Sequence, residues 1–181
     1  LVPFGEYVPL ESWLRGTIAF FDLPMSHAAP GPRRQPGLRA DGMKLALAIC
    51  YEIAYPGLVR GMAQGADLLV TLSNDTWFGD SIGPHQHMQM ARMRALEHGR
   101  GLLRGTNNGV TAIVDARGRI TARLPQFEQA TLTGEVARYT GRTPFNRFGA
   151  APVTVLAALL LAPAAAGRVR ARGGRSRSAR G

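Results

Sequence analysis

Cysteine is almost absent from this chain, and among 181 residues only Cys50 carries a thiol. An internal disulfide is therefore impossible, and the thiol is either free or paired with another chain, neither of which fixes the compartment. Lysine is as scarce: Lys44 is the only one, so nearly all of the 22 basic residues are arginine. Acidic residues number only 12, giving a formal net charge of +10. That charge invites a nucleic-acid reading, but six arginines fall between Arg168 and Gly181 with no acid among them, which leaves +4 for everything before Arg168. The pattern is an ordinary surface with a basic tail. The tail also lacks aromatic residues to stack on bases, so no nucleic-acid partner is expected. At the other end, Leu1-Val2-Pro3-Phe4-Gly5-Glu6 lacks an initiator Met, a charged n-region and a cleavage site. No signal peptide is expected there, and the chain reads as cut from something longer.

What is present is a hydrophobic content of 45%, enough for one domain with a substantial core. From Gly42 to Asp115 short apolar runs alternate with helical stretches, the pattern of an α/β fold. Strands are expected at Leu45–Ile49, Leu68–Leu72, Leu102–Thr106, Val110–Asp115, Ile120–Leu124 and Ala130–Val136. Helices are expected at Tyr55–Gln64 and His85–Glu97, the second burying Met88, Ala91 and Ala95, with Met90 and Met93 as further core filler. Ser73–Pro84 and the Pro-, Gly- and Arg-rich Met25–Asp41 read as loops. Ala150 to Ala166 contains no charged residue and is followed at once by the arginine cluster. Such a run is short for a membrane span but fits the positive-inside pattern, so a transmembrane helix over 148–167 and a cytoplasmic basic disordered tail over 168–181 are expected after a domain covering 1–147. An apolar helix packed on the domain is the alternative.

Cys50 ends the run Leu45-Ala46-Leu47-Ala48-Ile49 and precedes Tyr51 and Glu52. The point where a buried strand breaks into a loop is where α/β enzymes display reactive side chains, which makes Cys50 the candidate nucleophile; a buried structural thiol is the alternative. A free thiol ionises near pH 8.5, so it needs a neighbouring base or cation to become a useful thiolate. Glu6 is a candidate carboxylate or a surface acid in a Gly-Glu turn. Glu52 has two roles open, capping the following helix or taking part in catalysis. Trp77 and Phe78 follow a polar stretch, where they can meet an acyl chain or pack into the core. His85 and His87 lack the partners and spacing of a metal site, and Asn107-Asn108-Gly109 reads as a turn between strands.

Several segments in order carry more information than any one: Leu1–Pro9, Ile49-Cys50-Tyr51-Glu52, Ser73–Gly79, Pro84-His85-Gln86-His87, Ala91–Ala95 and Thr106–Gly109. Together they resemble the apolipoprotein N-acyltransferases, membrane enzymes of the nitrilase (carbon-nitrogen hydrolase) superfamily, from Leu1 to about Ala166. The resemblance implies an α/β fold, a nitrilase-like αββα sandwich facing the periplasm of the bacterial inner membrane and carried on transmembrane helices. It implies a Glu-Lys-Cys triad that moves an acyl chain from a phospholipid donor through a cysteine thioester to the N-terminal amine of a diacylated apolipoprotein. Cys50 matches the nucleophile, Glu6 a further glutamate near the active site, and Tyr51 and Glu52 the residues beside the nucleophile. No metal or other cofactor is implied.

The triad lysine and glutamate of that family lie upstream of the Leu-Val-Pro-Phe-Gly-Glu motif, before Leu1, so the chain is expected to be inactive in isolation and poorly soluble. Lys44 does not fill the gap, because six residues of extended strand separate it from Cys50 by roughly 20 Å. Three rival readings are a soluble amidase or nitrilase using Cys50, a basic nucleic-acid-binding module, and a non-catalytic remnant.

Overall fold

The structure, a computed structural model, describes residues 37–163. Six strands form one mixed sheet in chain order: β1 (Leu38–Ala40), β2 (Met43–Ile49), β3 (Leu68–Ser73), β4 (Leu102–Thr106), β5 (Ala112–Val114) and β6 (Ile120–Arg123). The apolar runs read as buried strands are the three parallel ones, β2, β3 and β4; β1, β5 and β6 add antiparallel pairs at the flanks. Parallel neighbours require crossovers. The first is a 3₁₀ turn at Cys50–Ala54 followed by α1 (Pro56–Met62), and the second a 3₁₀ turn at Thr76–Phe78 followed by α2 (Gly83–His98). A short helix, α3, spans Pro144–Phe148.

Alternation along the strands sorts the side chains into two faces. Register aligns Ala46, Leu69, Leu102 and Val114 in one row and Ala48, Thr71, Arg104 and Ala112 in the next, and all eight are buried. Met88, Ala91 and Ala95 of α2 and Ile53, Val59 and Ala63 from the first crossover join the same core. The small alanine side chains of strand and helix let backbone approach backbone, which explains why a helix with few large apolar residues is held firmly. The opposite face is less covered: Ile49 and Leu72 are more than half exposed, and Leu47, Val70 and Leu103 only partly buried.

Several expectations change. The described residues contain one sheet, so the two-sheet sandwich is represented there by a single sheet layered with helices. Ala130–Val136 forms no strand; the chain just beyond it is held through side chains instead, by Arg138 to Asp67 at 2.9 and 3.0 Å and by Arg100 to the Gly141 carbonyl at 2.7 Å. Leu38–Ala40, read within a loop, is an edge strand joined to β2 by a two-residue turn, with Asp41 and Gly42 at φ of 48° and 70°. Met93 lies on the solvent side of α2 and not in the core.

The chain divides between Asn146 and Arg147 into two compact units. In the second, residues 151–163 are helical and every one of them is exposed. Among the described residues no helix is long and apolar enough to cross a membrane, so the transmembrane helix expected over 148–167 is not seen as such; its last four positions and the tail over 168–181 lie outside the described residues.

Candidate active site

β2 ends where Cys50 takes a φ of 52°, the left-handed region that a side chain enters at a cost of about 1–2 kcal/mol. Two hydrogen bonds hold the turn: the Ile49 N–H donates to Glu52 Oε2 at 2.9 Å, and the Tyr55 N–H to the Glu52 carbonyl at 3.1 Å. Glu52 thus caps the 3₁₀ turn to which it belongs, and not the helix that follows, whose N-cap Tyr55 makes no side-chain capping bond. The outcome is a half-buried thiol just beyond the carboxyl end of a parallel strand, where open α/β sheets bind ligands and where a sharp strand-to-helix turn presents a nucleophile.

The register that pairs Ile49 with Leu72 sets Ser73 beside Cys50, with Oγ 3.6 Å from Sγ. Ser73 Oγ also donates to Asp75 Oδ1 at 2.6 Å. Asp75 is 1% exposed and gathers two further donors, His87 Nδ1 at 3.0 Å on Oδ1 and Arg104 Nη2 at 2.7 Å on Oδ2. Burial by itself would push the Asp75 carboxyl up, but the hydrogen bonds from His87 and Ser73 and the Arg104 charge outweigh it and hold the group down at about 2. Arg104, 2% exposed in the middle of β4, is lowered by its burial and partly restored by Asp75. The aromatic rings of Tyr51 and Phe78 lie against His87, with centroids 5.5 and 6.1 Å away.

A clamp from the next loop fixes this arrangement. Asn107 Oδ1 accepts the Asp75 N–H at 3.1 Å, while its Nδ2 donates to Asn74 Oδ1 and Thr76 Oγ1. The Asn107-Asn108-Gly109 segment is the turn between β4 and β5 that was expected, and it also braces the loop carrying Asp75. Chemically, the site offers one strained thiol backed by a buried charge network in which the Asp75 carboxylate is fully engaged, while Arg104 Nε and Nη1 and His87 Nε2 are left without hydrogen-bond partners among the described residues. Lys44 takes no part: its Nζ donates to the Gln64 carbonyl at 2.9 Å, at the opposite end of β2.

A family profile described as carbon-nitrogen hydrolase matches residues 1–144. The chain belongs to that family. Among its curated relatives, an apolipoprotein N-acyltransferase of Azotobacter vinelandii is 62% identical over 161 residues, 89% of the chain and 31% of the relative. One of Pseudomonas aeruginosa strain LESB58 is 55% identical over 168 residues, 93% of the chain and 33% of the relative. The chain therefore spans about a third of the length of these relatives. In fold, it is similar to the crystal structure of a carbon-nitrogen hydrolase from Helicobacter pylori G27, with a TM-score of 0.51 and 19% identity over 61% of this chain and 44% of the other. The α/β fold is nitrilase-like.

Of the residues singled out from sequence, Cys50, Tyr51 and Glu52 share one turn, and Phe78 reaches His87 behind it. Trp77 is 70% exposed, whereas Phe78 is half-buried, so the packing role falls to Phe78. Glu6 lies outside the described residues. Sequence reasoning gave no role to Ser73, Asp75 or Arg104, although Ser73–Gly79 and Pro84–His87 carried part of the resemblance, and it weighed a role for His87 only as half of a metal pair. One signal was available: an arginine inside a buried strand requires an acidic partner.

Proposed function

We propose that this chain carries the nucleophile of an apolipoprotein N-acyltransferase. The carrying observation is Cys50, held at positive φ at the end of β2 with Ser73 and the Asp75 network behind it, in a chain whose curated relatives bear that name. In the first half-reaction Cys50 Sγ attacks a phospholipid ester carbonyl; the S–acyl bond forms, the ester C–O bond breaks, and the lysophospholipid leaves with a proton. In the second, the N-terminal amine of a diacylated apolipoprotein attacks the thioester, forming an amide and returning the thiol. Glu6, Tyr51 and Glu52 complete the surroundings of the nucleophile, and Trp77 and Phe78 offer apolar surface to the acyl chain. A carboxylate suits deprotonation of thiol and amine, and a lysine suits the tetrahedral oxyanion. That lysine is not Lys44, so the Glu-Lys-Cys triad draws its other two members from outside this chain's described residues. The setting is the bacterial inner membrane, with the catalytic domain periplasmic, a helix over 148–167 in the bilayer and the basic tail cytoplasmic; no nucleic acid takes part.

The test uses a chimera in which this chain replaces the matching segment of the Azotobacter vinelandii relative, purified with phospholipid and weighed intact. The expected result is a mass gain of one acyl chain that neutral hydroxylamine removes and that Cys50→Ser lacks. A folded chimera without any adduct, yet hydrolysing small amides, overturns the proposal in favour of an amidase.

A further inference from the structure

The donors that converge on the Asp75 carboxylate fix the direction of the contact between Ser73 and Cys50; the 3.1 Å approach of Arg104 Nη2 to His87 Nδ1 is then two donors facing one carboxylate and not a hydrogen bond. Asp75 is a carboxylate, which accepts hydrogen bonds and donates none. Its three close partners must therefore each supply a hydrogen: Arg104 Nη2–H to Oδ2, His87 Nδ1–H to Oδ1, and Ser73 Oγ–H to Oδ1. Serine owns one hydroxyl hydrogen, and at 2.6 Å a carboxylate takes it in preference to a sulfur at 3.6 Å. The face that Ser73 turns to Cys50 then consists of lone pairs. From this we infer that Ser73 is a positioning residue for Cys50, accepting the thiol S–H and so orienting the resting nucleophile, with the direction of its hydroxyl set by Asp75.

The inference rests on the reading of Cys50 as nucleophile and adds the group that aims it. The surrounding charges support it. From the β3 loop Asp75 and from β4 Arg104 form a buried ion pair, and the Arg104 charge also interacts with Cys50 at a distance without a hydrogen bond between them. From α2, His87 uses its Nδ1 on Asp75 and lies under the Tyr51 ring. From the nucleophile's own turn, Glu52 is engaged by the Ile49 N–H. Among the described residues the side chain that exchanges a hydrogen bond with the sulfur is Ser73, at the end of a strand whose register leaves it little freedom to move. The thiol is held with its hydrogen directed along the edge of the sheet toward β3 until a base withdraws it.

Because Cys50 is the only cysteine, the S–H stretching band in the Raman spectrum of the 181-residue chain in detergent reports on this one group. In the unmodified chain the band is expected at the lowered frequency of a donating thiol. Ser73→Ala is expected to move it toward the free-thiol position, while Ser73→Thr, which keeps a hydroxyl on a strand position suited to β-branching, retains it. Alkylation of Cys50 by iodoacetamide is expected to quicken about three- to tenfold in Ser73→Ala, the worth of one released hydrogen bond, and to stay at the original rate in Ser73→Thr. A free-thiol band in the unmodified chain, which needs no variant to fold, overturns the inference; so does a Ser73→Ala band that does not move. Neither readout involves an acyl donor, so failure here is separable from absence of an acyl adduct in the mass measurement.

Discussion

At the residue scale, Asp75 concentrates the electrostatic stake of the domain. Its carboxyl titrates near 3.8 in the unfolded chain and at about 2 in the folded one. A group whose pKa is depressed on folding contributes stability that is fully present above the unfolded value and is lost as pH falls through the folded one. The window is therefore pH 4 down to pH 2, and the shift corresponds to about 2 kcal/mol. Urea unfolding at pH 5, 4, 3 and 2 should show this loss. Asp75→Asn should lack that part of the pH slope and be less stable by about 3–5 kcal/mol at pH 5, because it leaves the buried Arg104 cation without its partner, with the gap narrowing by about 2 kcal/mol toward pH 2. Parallel slopes in the two proteins would show that Asp75 is not the titrating group.

At the scale of elements, the loops at the carboxyl ends of β3 and β4 depend on a close approach. A Cβ placed on Gly109 would lie 2.1 Å from Asp75 Oδ2 and 2.7 Å from its Cβ and Cγ, so Asp75 would have to move. Gly109→Ala should lower stability by about 1–3 kcal/mol as an overpacked site. Gly57→Ala, in α1 where nothing lies within 4 Å, should leave the melting temperature unchanged or raise it slightly, since alanine is the better helix former. A thermal melt of both variants decides whether contact with Asp75 or glycine content governs the loop. The same elements show what sequence could reveal. β2, β3 and β4 were visible because each is a continuous apolar run, and Cys50 because it ends one of them. The contacts of Asp75 with His87 and Arg104 span 12 and 29 residues and depend on strand register, which no local pattern reports. Ala130–Val136 mimicked a strand in composition, but Arg138 and Arg100 hold the chain just beyond it and not the segment itself. The Asp41-Gly42 hairpin was legible and was obscured by the Pro- and Arg-rich residues before it.

At the scale of the whole molecule, apolar surface left uncovered is the feature that calls for a partner phase. The helix over 151–163 exposes Val153, Val155, Leu156, Leu159, Leu160 and Leu161, each by more than half, with no charged residue between Ala150 and Ala166. A soluble helix buries one stripe and solvates the rest, whereas this one is apolar nearly all round. Its thirteen described residues measure about 20 Å at 1.5 Å each, against about 30 Å for a bilayer core. If the helix is a lipid-embedded segment, one arginine near its centre costs about 2.5–3.5 kcal/mol, enough to shift partitioning more than tenfold. In liposome flotation the unmodified chain should travel with the lipid, and Leu156→Arg combined with Leu160→Arg should remain largely in the aqueous fraction. The double variant should keep the near-ultraviolet spectrum of the unmodified chain, because the exchanged side chains of Leu156 and Leu160 are exposed. Flotation that survives both arginines would assign membrane attachment to another surface of the chain. An unmodified chain that stays in solution as a defined dimer would assign the apolar helix to contact with a second copy.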